Sequence, residues 1–458
     1  MSGIILIALL VAAIAFIVFG TAKLKIHPFL VLLVAAIGFG LFAGLGADAT
    51  IAAIVSGFGG TLGGIGIIIA AGTIIGMILE RSGGAQVMAE AIIRLIGKAR
   101  SAMAMSITGA VVSIPVFCDS GFVILSPLAR SLAAKAKGSM VTYALALAMG
   151  LLATHVFVPP TPGPIAGAQE LGADIGLVIV LGIVVTLPVL VATYLYAVFQ
   201  GNRHYIDPER VSIGGSEAGS EPVTEDEPTA ARSSNRPSTF AAFLPIALPI
   251  VLIALNSIAA TEAAPFGDGI VTTTLTFLGN PNIALLAGVF IAFYVTAQTR
   301  GQAVTQDAVQ RALSVAGPII LITGAGGALG AVLRETPVTD YLGQNLALTN
   351  LGIFLPFLLA FAIKTAQGSS TVAIVTTAAI IAPLTGSLGL ETPTELALTT
   401  LAIGAGSAMI SHANDSYFWV VTQFSGMTPA QGYRLYSTAT IVVGTVSMAT
   451  IFVLTLVL

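Results

Sequence analysis

Two aspartates, two histidines and a lysine stand inside apolar sequence, where an ionised group is expensive. Asp119 lies in "PVFCDSGFVILSPL", His155 in "HVFVPPTPGP", and Lys364 just ahead of "AQGSSTVAIVTTA". His412, Asn414 and Asp415 share "SHANDSYFWVV". An ionisable group within a bilayer needs a partner, neutralisation or a function. Small polar residues cluster around these five: Ser120 and Gly121; Thr161 and Gly163; Gln367, Gly368, Ser369, Ser370 and Thr371; Ser416. Hydroxyls, amides and the exposed starts of broken helices bind a carboxylate or a polyol, because helix N-termini carry partial positive charge and free N–H donors. Lys364 can add a full charge, snorkel to an interface or pair with an aspartate.

A buried carboxylate can also take up and release a proton in each cycle. That makes Asp119, Asp415, His155 and His412 the candidates for holding a coupling ion. The same carboxylates could instead cap a hairpin turn or a helix start, and a lone histidine is often a structural hydrogen-bonding group. Gly121 is expected to permit the chain reversal beside Asp119. No Walker sequence, metal-spaced His/Cys set or Gly-x-Ser-x-Gly elbow occurs, so the residues give no support for ATP-driven pumping, a metal centre, a cofactor or hydrolytic chemistry.

The elements that position these residues follow from composition. The chain has 458 residues, 56% hydrophobic and only 9% charged, with a mean hydropathy of +0.98. That leaves too little polar surface for a water-soluble body of this size. Apolar runs of about 17 to 25 residues recur, each enough to cross the bilayer as a helix and too long for the alternating strands of a β-barrel. The single cysteine excludes an intramolecular disulfide framework, and the net charge of −3 gives no basic nucleic-acid surface. The expectation is an all-α integral membrane protein.

Spans are expected near 3–21, 27–47, 60–80, 139–158, 174–199, 240–258, 282–299, 314–334, 393–411 and 434–456. The first lacks a basic n-region and is longer than an ordinary signal h-region, so it reads as a spanning helix. Residues 200–238, rich in Ser, Glu, Pro and Gly, read as a flexible linker between residues 1–199 and 239–458.

The two halves resemble each other. "AGTIIGMILERSG" from Ala71 matches "AGGALGAVLRETP" from Ala325, and both read as small-residue helix-packing faces. Each is followed by an amphipathic stretch ("AQVMAEAIIRLIGKA", "VTDYLGQNLAL"), then by an apolar run interrupted at its centre, at about 102–136 and 350–387. Arms of about 12 to 18 residues suit re-entrant hairpins better than full spans. A broken helix follows in each half, at about 139–172 and 393–430. This topology gathers Lys23, Lys25, Arg81, Arg94, Lys98, Arg100, Lys135, Lys137, Arg203 and Arg210 on one side and leaves Asp48, Glu170 and Asp174 opposite. The positive-inside rule makes the basic side, and the linker, cytoplasmic. Five crossings then invert the second half relative to the first, with both termini extracytoplasmic and Arg334 as the dissenting charge. Matching interruptions in inverted halves point to a secondary-transporter site built from four non-helical tips near the midplane.

At these interruptions the sequence resembles the gluconate permease family, the gluconate:proton symporters of the wider ion transporter superfamily. "PVFCDSGFVILSPL", "HVFVPPTPGP", "AQGSSTVAIVTTA" and "SHANDSYFWVV" occur in the family's order over nearly the whole chain. The resemblance implies inner-membrane uptake of gluconate or a related sugar or hydroxy acid with a proton. It also implies a scaffold domain, a mobile transport domain, an elevator-type movement and a homodimer. Carried over, its site positions are Asp119 and Ser120, the "PPTPGP" segment, Gln367 to Thr371, and Asn414 with Asp415. One departure is Thr161, where many members carry histidine, and it bears on both substrate and coupling ion. The alternatives are a sodium-coupled carrier of glycerate, another hydroxy acid or a dicarboxylate, and, from another class, an anion channel. An intramembrane enzyme ranks below both, because no nucleophile with an adjacent base is recognisable.

Overall fold

The structure, a computed structural model, describes residues 3–97, 100–211, 236–259, 267, 269–337, 351–412 and 414–458. Those residues form helices and loops, with no strand among them. The first half runs α1 (Gly3–Ala22), α2 (Pro28–Phe42), α3 (Ala47–Ser82), α4 (Gly84–Ile96), α5 (Ser101–Val112), α6 (Cys118–Lys135), α7 (Met140–Phe157), α8 (Pro162–Leu171) and α9 (Ile175–Arg203). The second runs α10 (Thr239–Ala259), α11 (Ile270–Leu278), α12 (Pro281–Arg300), α13 (Gln302–Arg334), α14 (Phe354–Gln367), α15 (Ser370–Ile381), α16 (Pro393–Ser407), α17 (Ser416–Phe424) and α18 (Thr438–Val457).

Local chemistry sets the boundaries. Gly83, at φ 78, ends α3 and starts α4, a left-handed position that an L side chain resists. Ser139 and Asp174 cap α7 and α9 by accepting from the N–H groups of Val141 and Leu177. Thr392 and Glu395 form a reciprocal capping box at the start of α16.

Helices lie where the apolar runs predict spans, but with different lengths. Among the described residues, six helices are long and apolar enough to cross a membrane alone, the break between α7 and α8 being counted within one of them. α3 makes a seventh if its 42° bend, between Gly64 and Gly66, is taken as one span. The run expected as a span at 27–47 becomes a 15-residue helix, and that at 393–411 another of 15. At 1.5 Å per residue these measure about 22 Å, short of the roughly 30 Å hydrocarbon core. Conversely, α3 and α13 extend to 36 and 33 residues, well beyond the predicted 60–80 and 314–334. The nine-residue α11, none of whose residues is buried, has no counterpart in the sequence reading.

The expected linker begins late. Residues 200–203 belong to α9, and the next few dock onto the body. Arg130 of α6 donates to the Pro208 carbonyl at 2.7 Å, and the Ser139 hydroxyl donates to the His204 carbonyl at 3.0 Å. The remainder of the linker to residue 235, Lys98, and the second amphipathic stretch (338–348) lie outside the described residues.

Two long helices and one enclosed helix organise the packing. α3 and α13 lie against each other through small residues: a Cβ on Gly57 would come within 2.4 Å of the Gly327 carbonyl oxygen. α7 forms the centre, with every residue but Thr142 buried. It packs against α5, α6 and α9. The glycines of "AGTIIG" also serve close approach: a Cβ on Gly76 would meet the Pro115 carbonyl oxygen at 2.0 Å. Charged side chains meet at the helix ends. Arg81 of α3 pairs with Asp307 of α13, which also pairs with Arg311 at 3.0 Å. Arg334 approaches Glu170 to 3.9 Å at the far end of α13.

Candidate functional site

Three interruptions of helix meet at one cavity of about 280 Å³. The first is the turn between α5 and α6. The Ser113 hydroxyl donates to the Val116 carbonyl at 3.0 Å, and α6 starts at Cys118 with no side-chain cap on its first N–H groups. The second is the turn between α14 and α15. Gly368 takes φ +95 there, and the Ser369 hydroxyl accepts the Val372 N–H at 3.3 Å. The third is the break between α16 and α17. Its Asp415 accepts the Tyr417 N–H at 3.0 Å and so caps α17.

Three helix starts therefore border the same space: Phe117, Cys118 and Asp119 of α6, Ser369, Ser370 and Thr371 of α15, and Asp415, Ser416 and Tyr417 of α17. Leu152 and His155, from the last turns of α7, complete the wall with Gln367, Gly368 and Asn414. Each helix start leaves N–H groups without intrahelical acceptors, a ready anion-binding arrangement.

The charged groups are not equivalent. Lys364 Nζ lies 2.6 Å from Asp415 Oδ2, with both side chains buried, and also donates to the Gly368 carbonyl. Ser411 donates its hydroxyl to the same Asp415 oxygen. The Asp415 carboxylate is thus fully engaged, as ion-pair partner and as helix cap. Asp119 has no ion-pair partner among the described residues; the Ser416 hydroxyl approaches it at 3.5 Å, and it lines the cavity. His412 and Asn414 both reach the Thr365 carbonyl, at 2.8 and 3.0 Å, and so lash the broken segment to α14. His155 is 7% exposed, and its Nδ1 has no hydrogen-bond partner.

Ten of the predicted residues line the cavity: Asp119, His155, Gln367 to Thr371, Asn414, Asp415 and Ser416. Six do not. Lys364 lies behind the wall on Asp415, and His412 lies against α14. Ser120 turns toward the Glu80 carboxylate of α3. Gly121 makes no reversal: it sits in the first turn of α6, bonded to the Phe117 carbonyl, and a Cβ there would meet only the Leu151 side chain at 2.7 Å. The reversal falls at residues 113–117 instead. Thr161 points its hydroxyl at the Val158 carbonyl, 2.7 Å away, and Gly163 packs against Ile374 and Thr371 of α15.

The fourth predicted tip, 158–161, accordingly lies outside the cavity. It nests behind the α5–α6 turn, where a Cβ on Gly72 would meet the Pro160 carbonyl oxygen at 2.8 Å. Its prolines have no N–H to offer, and the Thr161 hydroxyl is used locally. Phe117, Cys118, Leu152 and Tyr417 are lining residues that the sequence reading passed over. Leu152 stands three residues before His155, one helical turn, which was the available signal for it.

Comparison with known proteins gives a consistent answer. The profile described as GntP family permease matches residues 4–457. The inner membrane permease YgbN of Escherichia coli is 35% identical, over 97% of each chain. The gluconate permease of Pseudomonas aeruginosa is 32% identical, over 95% of this chain and 94% of that one. The D-serine transporter DsdX of Escherichia coli strain CFT073 is 33% identical over the full length of both. Among solved structures, the YdaH transporter of Alcanivorax borkumensis superposes with a TM-score of 0.61 at 14% identity, covering 93% of this chain and 98% of that one. That likeness shows a shared fold.

Proposed function

The chain belongs to the GntP family of permeases, and from that premise we propose that it imports gluconate or a related sugar or hydroxy acid together with a proton. Permease is what the names of the family and of these relatives share, and one of them names the inner membrane. The observation that carries the finer reading is the cavity itself, where three helix starts and one nearly free carboxylate share about 280 Å³.

The helix starts supply donors for a substrate carboxylate, and Ser370, Thr371, Ser416 and Gln367 supply hydroxyls and an amide for substrate hydroxyls. Among the described residues the only lysine near the cavity is neutralised by Asp415. An ionised Asp119 and a substrate anion in this space repel each other in a medium of low dielectric. A proton on Asp119 removes that repulsion, so anion and proton enter together. This assigns coupling to Asp119 and a fixed structural charge to Asp415.

Movement in this proposal follows the inverted-repeat reading of residues 1–199 and 239–458. α5 to α8 and α14 to α17 would travel as a unit against α1 to α3 and α10 to α13, in an elevator manner within a homodimer. The order of elements supports the correspondence: a long helix, two short helices around a turn, and a helix broken by four to eight residues recur in each half. The ion-paired cluster of Arg81, Asp307 and Arg311 supports a common, cytoplasmic end for those residues.

A second reading is favoured by the same free carboxylate. Asp119 is open to an ammonium group, so a hydroxy amino acid such as D-serine suits the cavity as a zwitterion. Labelled gluconate uptake into proteoliposomes, with inward proton and sodium gradients imposed separately, tests the first reading. Accumulation under the proton gradient alone supports it. Accumulation under sodium alone moves the coupling ion, and D-serine uptake without gluconate uptake favours the zwitterion. A conductance that never saturates points to a channel.

A further inference from the structure

We propose that His155 reads the hydroxyl next to the substrate carboxylate, and so sets the preference for a hydroxy acid over the matching deoxy acid. This rests on the organic-acid reading of the cavity above.

His155 is 7% exposed and lines the cavity from the last turn of α7. Its Nδ1 is enclosed and has no hydrogen-bond partner. Its Nε2 makes no hydrogen bond to any described residue either, although it is not enclosed in the same way. A neutral imidazole carries one N–H and one bare nitrogen. Enclosed N–H groups without an acceptor are rarer in folded proteins than under-satisfied acceptors, and the tautomer protonated on Nε2 avoids one. The proton therefore belongs on Nε2, the nitrogen left open to the cavity. The protein has placed a donor there and given it no acceptor of its own.

The position of the ring narrows the acceptor. The Phe117 ring packs beside it, with centroids 6.1 Å apart and planes tilted by 54°. Phe117 immediately precedes the uncapped start of α6. A carboxylate seated on the N–H groups at that start lies next to His155, and the oxygen on its neighbouring carbon is the one that reaches Nε2. A polar group built to bond a hydroxyl discriminates strongly against the analogue lacking it, because the deoxy analogue leaves the buried donor unpaired.

The test compares uptake of D-gluconate with 2-deoxy-D-gluconate, and of glycerate with 3-hydroxypropanoate, in proteoliposomes. The native protein is expected to favour the 2-hydroxy acid by about tenfold or more in half-saturating concentration. His155→Phe is expected to bring that ratio close to one while uptake of the deoxy acid persists. His155→Gln, whose amide still donates, is expected to restore part of the ratio and serves if the Phe variant does not fold. A native ratio in His155→Phe, or a proportional weakening toward both acids in either variant, overturns the assignment. Native protein that transports D-gluconate or glycerate without preference overturns it while leaving the organic-acid reading standing. Uptake of none of the four acids overturns both.

Discussion

Lys364 and Asp415 close a buried ion pair, Nζ to Oδ2 at 2.6 Å, that ties the last turn of α14 to the start of α17. The lysine is 2% exposed and the aspartate 11%, so the lysine charge is cut off from water and the aspartate charge nearly so. Removing one partner of a buried pair strands the other and costs about 3 to 5 kcal/mol. Asp415→Asn and Lys364→Met are each expected to lower stability by that order in thermal unfolding of the detergent-solubilised protein. The double variant should cost clearly less than the two single losses together. Simple additivity would show that the two side chains do not act as a pair.

Asp119 should behave differently, because it carries a charge without a counterion beside it. Anion binding favours its protonated form, so KM for uptake rises as pH rises through the titration of that group, by up to about tenfold per unit. Asp119→Asn is permanently neutral. It is expected to bind the anion with a KM that no longer depends on pH, to support substrate exchange, and to fail at proton-driven accumulation. A pH profile unchanged by Asp119→Asn would move the coupling elsewhere.

The interruptions were legible because apolar runs long enough to span stand out from the small polar residues that break them. That is why Asp119, Gln367 to Thr371, and Asn414 to Ser416, all at interruptions, stand together at one cavity. What a one-dimensional pattern does not carry is which way a side chain turns once the chain has broken. Thr161 and Ser120 sit at breaks like their neighbours, yet their hydroxyls point to Val158 and Glu80. Nor does the pattern say which of two buried aspartates finds a lysine. Lys364 and Asp415 are brought together only by the packing of α14 against α16 and the break that follows it.

Two glycines beside the cavity's interruptions give a direct contrast. Gly368 combines φ +95 with a Cβ direction that would run into the Asn414 carbonyl oxygen at 2.2 Å. Backbone cannot step aside there, and the left-handed conformation alone costs an L residue about 1 to 2 kcal/mol. Gly121 has an ordinary helical backbone and would meet only the tip of Leu151, which can rotate. Gly368→Ala is expected to abolish uptake and lower the unfolding temperature markedly, and Gly121→Ala to remain folded with most of its transport. Equal behaviour of the two variants would contradict the geometry at both positions.

Thr161 tests how far the binding cavity extends. The sequence places it among the site residues, but the residue is 3% exposed and its hydroxyl is bonded to the Val158 carbonyl at 2.7 Å. Thr161→Val keeps the shape and removes that hydrogen bond, leaving one carbonyl without its donor. The expected loss is about 1 kcal/mol of stability, with KM within about twofold of the native value, as befits a group that touches no substrate. A large rise in KM at undiminished stability would place the 158–161 break within reach of the substrate, and would mean that the fourth tip joins the other three in a conformation other than this one.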